Sequence, residues 1–105
     1  MNRWEIWRAW VKFEDDPSQG KPRPVLVMDC QNRVCVFAFK ITTHAPRNNY
    51  PNEYTVVNWE ESGLDRPSTI RGGKYIQIEE QHFIKKLGRL SASDIIRFSK
   101  MLNKK

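Results

Sequence analysis

The sequence has no long hydrophobic run. Its longest uninterrupted apolar stretch is Val34 to Phe39, far short of the ~20 residues a membrane-spanning helix needs. The N-terminus alternates Trp and Ile with charges and lacks the apolar core of a secretory signal, so a cytoplasmic protein with no membrane partner is expected. Cysteine is scarce: Cys30 and Cys35 only. Two thiols make no structural zinc site unaided, and neither histidine, His44 or His82, stands at a zinc-finger spacing from them. A tight turn at Asn32-Arg33 would bring the two cysteines opposite each other on neighbouring strands. In a reducing compartment they are expected as thiols. There is no Gly-rich phosphate loop and no Gly-x-Ser-x-Gly elbow. Acidic residues form no spaced pair of the kind a two-metal nuclease uses. The run Glu14-Asp15-Asp16 points three ways from a loop and reads as solvated rather than metal-binding.

What is present is positive charge and aromatic residues. The chain carries 18 Lys/Arg against 12 Asp/Glu, a formal net charge of +6, and is 11% aromatic. Such a balance favours a polyanionic partner, and the aromatic content argues against disorder. The charge is uneven: residues 1–52 hold eight basic and five acidic side chains, 53–80 three and six, 81–105 seven and one. At 105 residues the chain is expected to form one domain, residues 1–105, with a single modest core.

Hydrophobic periodicity places the elements. "EIWRAWVKF" alternates, with Trp7, Ala9, Val11 and Phe13 on one face, and predicts a half-buried strand over residues 5–13. "EDDPSQGKP" reads as a loop. "PVLVMD" and "VCVFAFK" read as buried strands joined by the turn at "QNR". "EYTVVNW" predicts another strand, followed by a helical turn that Gly63 closes. "STIR" and "KYIQI" predict a hairpin across Gly72-Gly73, and "EEQHFIKKLG" a short helical segment. Ser91 with Asp94 three residues on is a capping-box-like start. Ile95, Phe98 and Leu102 then give residues 92–103 an amphipathic pattern, with Arg97, Lys100 and Lys104 outside. The fold class is mainly β with α additions: a small, strongly bent antiparallel barrel with a C-terminal helix.

Arg23 stands between Pro22 and Pro24, expected just ahead of the strand proper. The prolines fix the backbone around it, so its planar fork of donors is held at a sheet rim. There it can bond backbone carbonyls or meet phosphate oxygens. Thr42 and Thr43 end the next apolar strand, where β-branched residues are ordinary. Two strands joined as a hairpin return the end of the second to the start of the first. Arg23 and Thr42 are therefore expected as neighbours, with His44 and Arg47 nearby. A cation, hydroxyls and an imidazole make a plausible phosphodiester site.

Five stretches in register carry a resemblance: "EIWRAWVKFED", "KPRPVLVMD", "KITT", "GLDRPSTIRGGKYIQIE" and "LGRLSASDI". Together they resemble the MazF/PemK family, the toxin ribonucleases of type II toxin–antitoxin pairs. The resemblance implies an SH3-like barrel, usually a homodimer. It implies metal-independent, cofactor-free, sequence-specific cleavage of single-stranded RNA, and an antitoxin partner. It makes Arg23 and Thr42 the catalytic pair, with Thr43 beside them. Three features depart from the pattern. Trp4 stands where the family usually has glycine, Gly72-Gly73 replaces bulkier residues, and the "HAPRNNYPN" loop matches nothing familiar, leaving the target sequence open.

The implied chemistry fits these residues. The RNA 2′-hydroxyl attacks its own phosphate and needs a proton acceptor, a proton donor and charge stabilisation. Arg23 is suited to the charge and Thr42 to orienting an oxygen. An imidazole, with a reference pKa of about 6.5, suits proton transfer, which makes His44 a catalytic candidate if residues 42–44 stay extended and share a face. Lys21, Arg47 and Lys74 are the candidate RNA-binding residues. An acidic antitoxin segment would meet the same basic surface. Two other readings stand beside this one: a CcdB-like gyrase poison, and a non-catalytic RNA- or protein-binding barrel using Trp4, Trp10 or Tyr50 as stacking platforms.

Overall fold

The computed structural model describes residues 1–30 and 35–103. The expected turn at Asn32-Arg33, the approach of Cys35 to Cys30 and the position of Lys104 lie outside that set. Seven strands and one helix follow in order: β1 (Glu5–Lys12), β2 (Gly20–Asp29), β3 (Cys35–Thr42), β4 (Glu53–Thr55), β5 (Thr69–Arg71), β6 (Ile76–Glu79), β7 (Phe83–Arg89) and α1 (Ala92–Asn103). A turn of 3-10 helix, Glu80–His82, leads into β7. The antiparallel sheet runs β4-β5-β3-β2-β1-β7, with β6 also on β3. Its two end strands, β4 and β7, do not pair. The sheet is mainly β and strongly bent as expected, but it does not close into a barrel.

Period-two alternation gives the sheet two buried faces. On one, Ile6, Leu26, Phe39, Ile41 and Ile70 pack with Leu90 and Phe98. On the other, Ala9, Val11, Val25, Ala38 and Ile78 form a second cluster. This is why residues 25–28 are apolar without a break: Val25 serves one face, Leu26 and Met28 the other. Register shifts between Ile6 and Trp7, Arg8 and Ala9, and Val27 and Asp29 bend the strands, as bulges do.

The helix was fully legible. The Ser91 Oγ accepts from Asp94 N at 3.2 Å and Phe98 is fully buried. The Phe98 ring meets Trp4, Phe39 and Tyr54. Trp4 holds φ +75°. An L-residue pays about 1–2 kcal/mol there, a cost that glycine would not carry. The conformation is locked by Trp4 N donating to Val27 O at 2.8 Å and Leu90 N to Trp4 O at 2.9 Å.

Four expectations about these elements need correction. β2 begins at Gly20, so Arg23 lies inside the strand, opposite Ala9; the β3 ladder stops at Val25, and an edge without a partner tolerates Pro22 and Pro24. The strand expected over 53–59 ends at Thr55, because Val57 and Asn58 turn their N–H groups to the Asp94 carboxylate. β5 and β6 form no hairpin: both pair with β3, β6 along Cys35–Ala38 and β5 at Ile41 and Thr42. Accordingly neither Gly72 nor Gly73 has positive φ; among the described glycines only Gly63 does. Gly72 is small for another reason, since a Cβ there would stand 2.6 Å from Asn52 O and 2.8 Å from the Phe98 ring. Finally, residues 83–89 are strand β7, not helix. Their exposed lysines hid a strand that, among the described residues, pairs only with β1.

Candidate active site

The ladder between β2 and β3 ends at Val25 opposite Lys40. Beyond it the β2–β3 pairing stops, while the other edge of β3 continues, with Thr42 opposite Thr69 of β5. A cavity of about 310 Å³ opens at the fork, lined by Arg23, Lys40, Thr42, His44 and Arg71 among others. The expected convergence of Arg23, Thr42 and His44 is therefore present. Arg23 is half-buried, and among the described residues nothing pairs with its guanidinium. Thr42 is buried, 8% exposed. Its Oγ1 accepts from His44 N at 3.3 Å, which leaves the hydroxyl hydrogen available to an anion.

That same bond bends the chain at Thr43 and His44, so residues 42–44 are not extended as expected. His44 reaches the cavity from the bend rather than by sharing a strand face. Thr43 turns away and lines a separate cavity with Arg8, Pro24 and Arg66. Lys21 is exposed on β2 opposite Val11 and lines neither this cavity nor its neighbour.

The neighbouring cavity, about 400 Å³, shares Glu14, Lys40 and Arg71 with the first and adds Arg47, Tyr50 and Lys74. Arg47 and Lys74 thus lie along one groove with the Arg23 cavity. Two acids, Glu14 in its wall and Glu53 bonded to Arg47, are placed to orient its cations. Glu14 meets Lys40 at 3.6 Å and Lys74 at 3.5 Å, and these two charges hold its carboxyl below the usual range. Glu53, its side chain 4% exposed, meets Arg47 at 2.8 Å, and the hydrogen bond from Arg47 leads the causes that lower its pKa. Among the described residues no three His, Cys, Asp or Glu side chains are grouped as metal ligands.

Sequence reasoning missed Arg71 and Glu53. Arg71 ends β5, and only the pairing of β5 with β3 brings it to Thr42. Its Nε is buried without a hydrogen-bond partner. The usable signal was an arginine closing a Ser-Thr-Ile strand, which a hairpin with β6 would have turned elsewhere.

A family model described as the PemK-like, MazF-like toxin of type II toxin–antitoxin systems matches residues 2–104. The chain belongs to that family. The Mycobacterium tuberculosis toxin MazF-mt6 has a similar structure, with a TM-score of 0.71 at 22% identity, covering 93% of this chain and 91% of that one. At that identity the likeness is one of fold. Among curated proteins none matches the sequence significantly. Within this MazF/PemK-like chain, the fork between β2 and β3 holds the Arg-Pro arginine and the first threonine of the Thr-Thr motif together. No described helix is long and apolar enough to cross a membrane.

Proposed function

We infer that this toxin is a metal-independent endoribonuclease, acting on single-stranded RNA at a short sequence. The observation that carries the reading is the cavity where Arg23, Thr42, His44 and Arg71 converge. In the reaction the ribose 2′-oxygen attacks the adjacent phosphorus and loses its proton to a base. The bond from phosphorus to the 5′-oxygen breaks, and that oxygen takes a proton from an acid. The products are a 2′,3′-cyclic phosphate and a 5′-hydroxyl.

Arg23 and Arg71 stabilise the negative charge that develops on the phosphoryl oxygens, where preorganised donors contribute most. Neither serves as base, since guanidinium stays protonated. The Thr42 hydroxyl donates to one of those oxygens and orients the phosphate. His44 carries protons, and its position on a bend lets it approach either the attacking or the leaving oxygen. Thr43 has no part, because it faces away. Lys40, Arg47 and Lys74 extend the positive groove for flanking phosphates.

The same reading includes an acidic antitoxin segment that competes for the groove, a homodimer as the working form, and the cytoplasm as the place of action. The family membership supports the antitoxin, and the resemblance supports the dimer. The test is purified protein with long single-stranded RNA in EDTA. Fragments bearing 5′-hydroxyl and cyclic-phosphate ends are expected. Uncut RNA that is cleaved only when magnesium is added would overturn metal independence. RNA that stays intact under both conditions would favour a gyrase poison or a non-catalytic barrel.

A further inference from the structure

The groove carries a feature that phosphate chemistry alone does not use. Tyr50 stands in the wall of the 400 Å³ cavity with half its surface exposed. A loop tyrosine so exposed is ordinarily mobile, but this one is braced. The Arg47 guanidinium carbon lies 3.4 Å from its ring centroid. Arg47 in turn is held by Glu53, through its backbone N at 3.0 Å, its Nε at 3.2 Å and its Nη2 at 2.8 Å. Glu53 is anchored in β4 with its side chain almost wholly buried. The loop is tied locally by Tyr50 N donating to Arg47 O and by Asn52 at φ +58°. Gly73 lets the next turn close on it, since a Cβ there would meet Pro51 O at 2.9 Å.

A rigid aromatic ring therefore lies beside two cations that reach both cavities, Lys40 and Arg71. Arg71 Nε lacks a hydrogen-bond partner, with Glu53 Oε2 3.9 Å away. Ring and cations side by side match a nucleotide: a planar base for the one, a phosphate for the other. An acidic peptide would use the cations but not the ring.

We propose that Tyr50, braced by Arg47 and Glu53, is the stacking seat for the base next to the cleaved phosphate, with Arg71 on that phosphate and Lys40 on the phosphate flanking it. The seat rests on the ribonuclease reading and adds to it a position where the RNA is gripped by its base. Because the ring is already held, binding orders no further loop, which preserves affinity. Arg47 and Glu53 are positioning residues here.

The probe is a 2′-O-methyl oligoadenylate, which cannot be cut and whose purines stack well. Its affinity is measured for wild type, Tyr50→Ala and Tyr50→Phe. Base–aromatic stacking is worth enough that Tyr50→Ala should bind about 5- to 150-fold more weakly. Tyr50→Phe should bind as wild type does, because the stack needs the ring and not the hydroxyl. An oligomer with abasic sites should erase the difference between wild type and Tyr50→Ala. Equal binding by wild type and Tyr50→Ala overturns the seat, as does a loss in Tyr50→Phe equal to that in Tyr50→Ala, or no binding by wild type. The ribonuclease reading fails separately: a wild type that binds in this Tyr50-dependent way but leaves long RNA uncut keeps the seat and loses the activity.

Discussion

Arg23 and Thr42 belong to adjacent strands and line one cavity, yet they are not paired. The register of β2 and β3, Val25 opposite Lys40 and Leu26 opposite Phe39, would set them face to face two residues further on. The ladder ends first, and Thr42 pairs with Thr69. A continuous ladder would have filled the space between them with backbone. The fork instead opens into the cavity of about 310 Å³, with a cation and a hydroxyl among its lining groups.

Replacing Arg23 with alanine should lower single-turnover cleavage by about 10²–10³, the range seen when a preorganised donor to a developing oxyanion is removed. The fold should survive, because no described residue pairs with the guanidinium. Near-native turnover in a folded variant would take Arg23 out of the chemistry.

His44→Gln separates two mechanisms. If the imidazole moves the proton, cleavage should slow by about 10²–10⁴ with little change in RNA affinity, and the shape of the pH–rate profile should change. If Arg23, Thr42 and Arg71 suffice, wild type and variant profiles from pH 5 to 9 will superimpose.

Glu5 makes stability depend on acid. Burial on its own would raise its pKa, but hydrogen bonds from Trp7, the Asn2 backbone and Lys86 outweigh that and bring it from 4.5 to about 2. A carboxylate with a depressed folded pKa contributes stability above pH 4.5 and loses it as pH falls toward 2. The contribution at neutral pH is on the order of 3 kcal/mol. Glu5→Gln should therefore unfold at lower denaturant at pH 7, and its stability should change less between pH 4.5 and 2. Parallel pH–stability curves for the two proteins would refute this.

Asp94 ties the helix to the loop after β4. It is fully buried and accepts from Tyr54 Oη at 2.5 Å, Val57 N at 3.0 Å and Asn58 N at 2.9 Å. Burial and this acid together push the Tyr54 hydroxyl up to about 12. Asp94→Ala strands these three donors and the Ser91 hydroxyl, which also bonds the carboxylate at 2.9 Å, each costing about 1–3 kcal/mol if unsatisfied. A loss of about 3–5 kcal/mol in chemical denaturation is expected, a large share of the stability of a small domain. A loss within about 0.5 kcal/mol, as for an ordinary surface change, would mean that water replaces the carboxylate freely.

The amino-acid order by itself determined whatever rests on neighbours in the chain. Ser91, Asp94 and the spacing of Ile95, Phe98 and Leu102 specify α1, because capping and a helical face involve residues within two turns. The apolar runs 25–28 and 36–39 specify buried strands, and a hairpin between them is enough to bring Arg23 near Thr42. Tertiary structure decided the partners. Alternation says that residues 69–71 and 76–79 can be strands, while 83–89 read as helix; for none of them does it say what they pair with, since any exposed strand edge offers the same donors and acceptors. Only the docking of β5 onto β3 carries Arg71 to the cavity, and only the bend that His44 N makes with Thr42 Oγ1 turns Thr43 away. Asp94 shows the division within one side chain: its place in the cap is local, while the carboxylate spends its remaining hydrogen bonds on groups 36 to 40 residues away, a distance that packing closes and sequence spacing does not encode.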